Sequence, residues 1–254
     1  MKQIKRWVRT YSLFILFASI LFFLIEWLVK KEMIPAFIIP APTSVIAMII
    51  ENWKPLIFEH LSATMLEFSI GFLISVIGGI LLAVWMFFSK TMEKIVYPAV
   101  LVSQMMPIIA LSPIFVLWFG YTIWSKVAVT VFISFFPIVV GAYDGLKSGD
   151  KDYIELLRSM GATRWHTFIK LNIPMALPSF FSGLKLATVY ALVGATIGEW
   201  LGASEGLGYY SRRMSGNLNA EGVFAAITIL TIVGILLFAF ISAIEKKALF
   251  WKKY

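Results

Sequence analysis

Apolar residues do not alternate along this chain. They run in long blocks separated by short polar stretches. Tyr11 to Val29 is apolar apart from Glu26, Phe68 to Ser89 carries no charge, and Val127 to Tyr143 and Gly222 to Ile244 are uncharged as well. Leu177 to Gly202 holds Lys185 and Glu199 within an otherwise apolar run. Blocks of about 20 residues are long enough for a helix, rising roughly 1.5 Å per residue, to cross a hydrocarbon core of about 30 Å. Ile95 to Ser125 is longer, but Pro98, Pro107 and Pro113 interrupt it. One span with kinks or a flanking irregular piece is expected there rather than two spans. Gly120 to Trp124 then serves as the turn into the next block. The pattern predicts an all-α membrane protein of six transmembrane helices.

Composition agrees. Of 254 residues, 60% are apolar or aromatic and 14% are charged, whereas soluble domains carry about 25% charged residues. Mean hydropathy is +0.87. The net charge of +8 would suggest nucleic acid in a soluble chain, but here it is explained by topology. Placing both termini in the cytoplasm puts fifteen Lys and Arg inside and six outside, with Lys185 within a span. That is the bias of the positive-inside rule, so no nucleic-acid partner is needed. There is no cysteine and there are two histidines, which excludes disulfides and leaves no zinc cluster.

Three regions follow. Residues 1–60 hold a basic tail, the first span and an external interfacial segment. The first span is expected to remain uncleaved, because Glu26 to Glu32 offers no small-x-small cleavage site. In the external segment, Ile34-Pro35 and Ile39-Pro40-Ala41-Pro42 form an extended piece capping a short amphipathic helix over Thr43 to Ile50. Residues 61–245 form the core with five spans and a polar loop, 147–174. Residues 246–254 are a basic cytoplasmic tail.

The loop is the most patterned polar stretch. Apolar residues recur at 153, 156, 157 and 160, and again at 165, 168 and 169. This is helical spacing on both sides of Gly161, where one short helix stops and another begins. Asn172-Ile173-Pro174 is expected to end the second piece. Two short helices with an apolar face left over require a partner surface.

This loop resembles that of binding-protein-dependent ABC importer permeases, whose pattern reads Glu-Ala-Ala, three residues, Gly, nine residues, Ile-x-Leu-Pro. Here the positions are Glu155, Leu156, Leu157, Gly161, then Leu171, Asn172, Ile173 and Pro174. Leu-Leu replaces Ala-Ala, and one aliphatic replaces another at Leu171 and Ile173. The resemblance covers roughly Leu61 to Ile244. Gly198 to Tyr209 is similar to the branch importing nitrate, sulfonates, taurine and thiamine-pyrimidine precursors. The resemblance implies the type I ABC importer permease fold in a bacterial inner membrane. It implies a second permease copy as a homodimer, two ATPase subunits that bind the ATP, and an extracytoplasmic substrate-binding protein. No cofactor is expected in this chain. Glu155, Leu156, Leu157, Gly161, Ile173 and Pro174 are the ATPase-coupling positions it implies, and the solute is a small anion or heterocycle.

Other signals carry less. Gly202-Ala203-Ser204-Glu205-Gly206 matches G-x-S-x-G, the basis of an alternative reading as an intramembrane serine hydrolase. That chemistry needs a strand-to-helix turn and a nearby base, and neither is visible. Gly141 to Ser148 fails as a P-loop because its second Gly comes one position early. A vitamin-importer scaffold would call for a second loop pair, which is absent. Gly194, Gly198 and Gly202 form a small-x-x-x-small face suited to close helix packing. Two polar residues are candidates for the substrate pathway. Glu199 is a carboxylate within a span, too far from Lys185 for an intrahelical pair, the two being about 21 Å apart along a helix. Gln104 precedes Met105-Met106-Pro107 in the Pro-bent third span.

Overall fold

The computed structural model describes residues 2–251. Met1 and the last three positions of the basic tail, 252–254, lie outside the described residues. Among those described there is no strand, and the fold is built of helices alone. Helix α1 (Lys2–Lys30) contains the first apolar block and touches the bundle through α2 (Pro42–Glu51). The contact is polar. The Glu26 carboxylate accepts the Thr43 hydroxyl at 2.6 Å and the Thr43 amide at 3.1 Å, tying the end of α1 to the start of α2.

The second span starts earlier than its uncharged block. A π-helical turn, Pro55–Leu61, leads directly into α3 (Ser62–Phe88), so Glu67 lies inside the helix. Helices α4 (Lys90–Ser103) and α5 (Ile108–Phe119) replace the expected kinked third span. They meet at 104° across the Gln104–Pro107 break. Pro107 has no N–H to continue a helix and disfavours helical backbone at Met106, whereas Pro98 and Pro113 are accommodated inside their helices. Counting the bent pair as one span gives six apolar crossings.

Helix α6 (Ile123–Lys147) and the last long helices complete the core. After α7 (Lys151–Ser159) the chain turns at Gly161 into α8 (Arg164–Thr167). The expected stop at Asn172-Ile173-Pro174 does not occur. A π-helical turn, Phe168–Asn172, passes straight into α9 (Ile173–Gly202), giving 39 residues of unbroken helix from Arg164. Pro174 falls in the first turn of α9, and the wider turn before it accommodates the hydrogen bond that Pro cannot donate. Helix α10 (Leu207–Gly216) and α11 (Ala220–Ala248) follow, with Asn219 capping α11 through the Gly222 amide at 2.9 Å.

The core is centred on α6 against α9. A Cβ at Gly194 would stand 2.8 Å from the Thr130 Cα, and one at Gly198 2.8 Å from the Lys126 Cα. The small-residue face therefore packs within one chain, the backbones meeting where a side chain would not fit. Helix α3 covers α6, with Ser75 and Ser134 hydroxyls 2.8 Å apart. Ile138, Phe181, Leu184 and Ile241 close the space between α6, α9 and α11. Lys185 pairs with Glu245 of α11 at 2.8 Å, which answers a half-buried cation in an apolar helix.

Candidate functional site

Three places in this bundle carry chemistry. The first is α7 and its exit. Asp150 caps α7 through the Asp152 amide at 3.1 Å. At its other end Gly161 has φ +84°, the Gly161 amide donates to the Arg158 carbonyl at 2.9 Å, and the Ala162 amide donates to that of Leu157 at 3.0 Å. This double bond around a left-handed glycine is the Schellman stop, which satisfies the last carbonyls and sets the exit direction. Thr163 then caps α8 through the His166 amide at 3.2 Å. The turn is fastened to the bundle beyond it. Asn172 donates its side-chain amide to the Leu146 carbonyl at 3.0 Å, and Trp165 and Phe168 pack on Phe88.

Within α7, Ile154 and Leu157 turn partly inward, while Tyr153, Glu155, Leu156 and Met160 stay exposed. Glu155, Leu156, Leu157 and Gly161 thus share one short protruding element. Ile173 and Pro174 lie apart from it, at the start of α9.

The second place is a buried polar node at the opposite end, around the α9–α10 connection. Glu199 is fully buried there and accepts the Gly208 amide at 2.5 Å. The Leu207 amide donates to the Thr64 hydroxyl at 2.9 Å, and the Gly206 amide to His60 Nδ1 at 3.2 Å. Glu67 lies beside Glu199 and faces Lys126 of α6 at 3.6 Å, both buried. The N-terminus of α10 is therefore held by side chains from the π-helical turn, α3 and α9, with the Glu199 carboxylate suited to the positive end of the helix. His60, Thr64, Glu67, Lys126 and α10 are the members that reading the sequence missed. Lys126 was assigned to a connecting segment, and Glu67 marked only the edge of a block.

The third place is an open face of α5, α9 and α11. A groove of about 1120 Å³ runs along it, lined mainly by apolar side chains with Ser112, Thr196 and Thr231, and with Ser211 and Arg212 from α10. The Arg212 guanidinium is hydrogen-bonded to the Trp200 carbonyl. A second cavity of about 250 Å³ opens at the α4–α5 break and shares Val193 and Ile197 with the groove. Gln104 lines this cavity; Glu199 lines neither.

The alternative chemistry finds no site. Ser204 is exposed on a helix-to-helix connection, and the nearby His60 ring accepts a backbone amide instead of facing a hydroxyl. Gly141 to Ser148 lies in the last turns and cap of α6 and forms no cradle.

Comparison with known proteins agrees with this architecture. Residues 75–249 match the family described as "Binding-protein-dependent transport system inner membrane component". The chain is 49% identical to the formylaminopyrimidine transport permease protein ThiX of Halalkalibacterium halodurans, over 92% of this chain and 95% of that one. It is 29% identical to the putative aliphatic sulfonates transport permease protein SsuC of Bacillus subtilis, over 86% of this chain and 80% of that one. Among solved structures, a chain of the MetNI methionine ABC transporter in an inward facing conformation superposes with a TM-score of 0.60. Identity is 19%, and the match covers 80% of this chain and 97% of that one. With that fold, those relatives and a family match over more than half its length, the chain belongs to the inner membrane components of binding-protein-dependent transport systems.

Proposed function

We propose that this chain is the permeation subunit of an ATP-driven importer for a small, uncharged, single-ring heterocycle of the formylaminopyrimidine kind. Two copies meet across the groove face of α5, α9 and α11. Each copy presents α7 to a separate ATPase chain, and a binding protein delivers solute at the α10 end. The basic residues give the orientation, with α7 and both termini in the cytoplasm.

The observation that carries this reading is the build of the α7 segment. An exposed apolar stripe on a nine-residue helix is fixed in direction by the Gly161 stop and continues, through α8, into a helix that spans the bundle. A partner that displaces α7 therefore pushes on α9, whose far half lines the groove. Rigid elements joined by a fixed turn convert a domain movement into a tilt of the span. Glu155, Leu156, Leu157 and Gly161 form the seat, and Ile173 and Pro174 the start of the lever. The solute class is supported by the 49% identity to a formylaminopyrimidine permease and by a face whose cavities hold one charged side chain, Arg212.

The test is purification of the tagged chain from its native membrane with its partners, followed by uptake of labelled formylaminopyrimidine and taurine in vesicles. Co-purification of an ATPase chain and ATP-dependent uptake of the pyrimidine are expected. An isolated chain, or uptake of taurine in place of the pyrimidine, would contradict respectively the assembly and the solute class.

A further inference from the structure

The break between α4 and α5 does more than bend a span. It leaves a cavity of about 250 Å³ walled by Gln104 and Met106 from the break, Phe132 from α6 and Tyr190 from α9. Sites for drug-sized ligands are roughly 300–1,000 Å³, so this one is sized for a single ring. Of its polar side chains, Ser103 donates its hydroxyl to the Val100 carbonyl at 2.7 Å, and the other two are free. Among the described residues neither the Gln104 side-chain amide nor the Tyr190 hydroxyl has a hydrogen-bond partner. Gln104 is half-buried and Tyr190 is 41% exposed, so both polar groups are open to a solute and free to bond it. The cavity holds no charged side chain. A sulfonate or other anion entering it would lose its hydration without gaining a cation in exchange, whereas a flat neutral ring would keep its polar edge bonded and its faces packed.

From these features we infer that the α4–α5 break is a transient subsite for an uncharged nitrogen heterocycle on its way through the membrane. Gln104 pairs with the donor and acceptor groups along one edge of the ring, and Tyr190 bonds a further polar atom. Phe132 offers an aromatic face and Met106 a polarizable one. The amide is suited to this task because its carbonyl accepts and its NH₂ donates on one planar group, matching a ring nitrogen beside an amino group. Val193 and Ile197 separate the subsite from the groove, so a solute that leaves Gln104 enters the wider path directly. This inference rests on the reading of the chain as a permeation subunit and adds to it a point of selection separate from the binding protein.

The experiment is saturation-transfer NMR on the assembled permease–ATPase complex in nanodiscs, without binding protein, using formylaminopyrimidine and taurine as probes. ATP-driven uptake is measured in parallel on the wild-type transporter with its binding protein. Saturation transfer to the pyrimidine and not to taurine is expected. Loss of one hydrogen bond should weaken the pyrimidine signal about two- to tenfold in Gln104→Leu and in Tyr190→Phe. Gln104→Met, close in length and uncharged, removes both donor and acceptor, so a loss like that of Gln104→Leu is expected, and unchanged elution and thermal midpoint establish that all variants are folded. A pyrimidine signal that is absent in wild type, or unaltered in all three variants, would overturn the subsite. A taurine signal that depends on Gln104 would overturn its preference for uncharged rings. Failure of wild-type uptake with an intact Gln104-dependent signal would instead count against the proposed function and leave the subsite standing.

Discussion

Gly161 has φ +84°, and nothing lies within 4 Å of the place where a Cβ would stand, so within this chain the backbone angle is all that a substitution must meet. A residue with a Cβ takes up that angle at a cost of about 1–2 kcal/mol, less for Asn, which visits it more readily. If the turn itself is what couples, ATPase stimulation by loaded binding protein should fall in the order Gly, Asn, Val at position 161, with membrane insertion unchanged. Equal loss for Asn and Val would show that bulk at the partner surface matters and the angle does not. Gly198 is the contrasting case: an added Cβ would be 2.8 Å from the Lys126 Cα. Gly198→Val should lower the thermal midpoint of the purified chain by overpacking, by about 1–3 kcal/mol of stability or more, while Gly216→Val, where nothing lies within 4 Å, should not. Both glycines were legible in the sequence because their spacing to other residues was diagnostic. The meaning of Glu199 was not. A carboxylate in a span signals burial or function equally, and its partner amides lie nine residues on, in a helix that no long apolar block announces.

At the scale of elements, α10 and the 164–202 helix are where pattern and structure part. Helix α10 is short and polar on one side, and its position depends on contacts with α3 and α9 that spacing along the chain cannot reveal. Glu199 is the side chain within α9 that holds it. Glu199→Gln keeps an acceptor for the Gly208 amide, so α10 should stay seated. Glu199→Ala leaves that buried amide unbonded at a cost of about 1–3 kcal/mol. Hydrogen exchange at residues 206–210 should therefore quicken in the Ala variant and stay near wild type in the Gln variant. Equal quickening in both would mean that the carboxylate of Glu199, and not an acceptor alone, holds the helix. The long helix was missed for a different reason. Pro174 reads as a stop, yet the π-helical turn ahead of it supplies the extra room that a ring without an N–H requires, and nothing in a single sequence marks such a turn. The bend at Gln104–Pro107 was only half legible: three prolines announced an interruption, and the structure shows that Pro107 alone breaks the helix.

For the whole molecule, the apolar blocks were sufficient for class and span number, since both depend on summed hydropathy instead of pairwise contacts, and the basic residues predict an orientation. The orientation is open to direct test. Reporter fusions after Ser148 should report the cytoplasm and one after Asn217 the outside, and a cytoplasmic signal at Asn217 would break the six-span topology. The groove was not legible, because it is assembled from α5, α9, α10 and α11 and appears only once they are placed. In the proposed coupling, force applied at α7 reaches this face through the unbroken 164–202 helix. Its most direct measurement is ATP-driven accumulation of solute in proteoliposomes carrying the wild-type transporter or one with Gly161→Arg, each checked for an intact complex. Accumulation should collapse in the variant while the spans remain inserted and the ATPase chain remains bound; undiminished accumulation with Arg at position 161 would contradict this coupling.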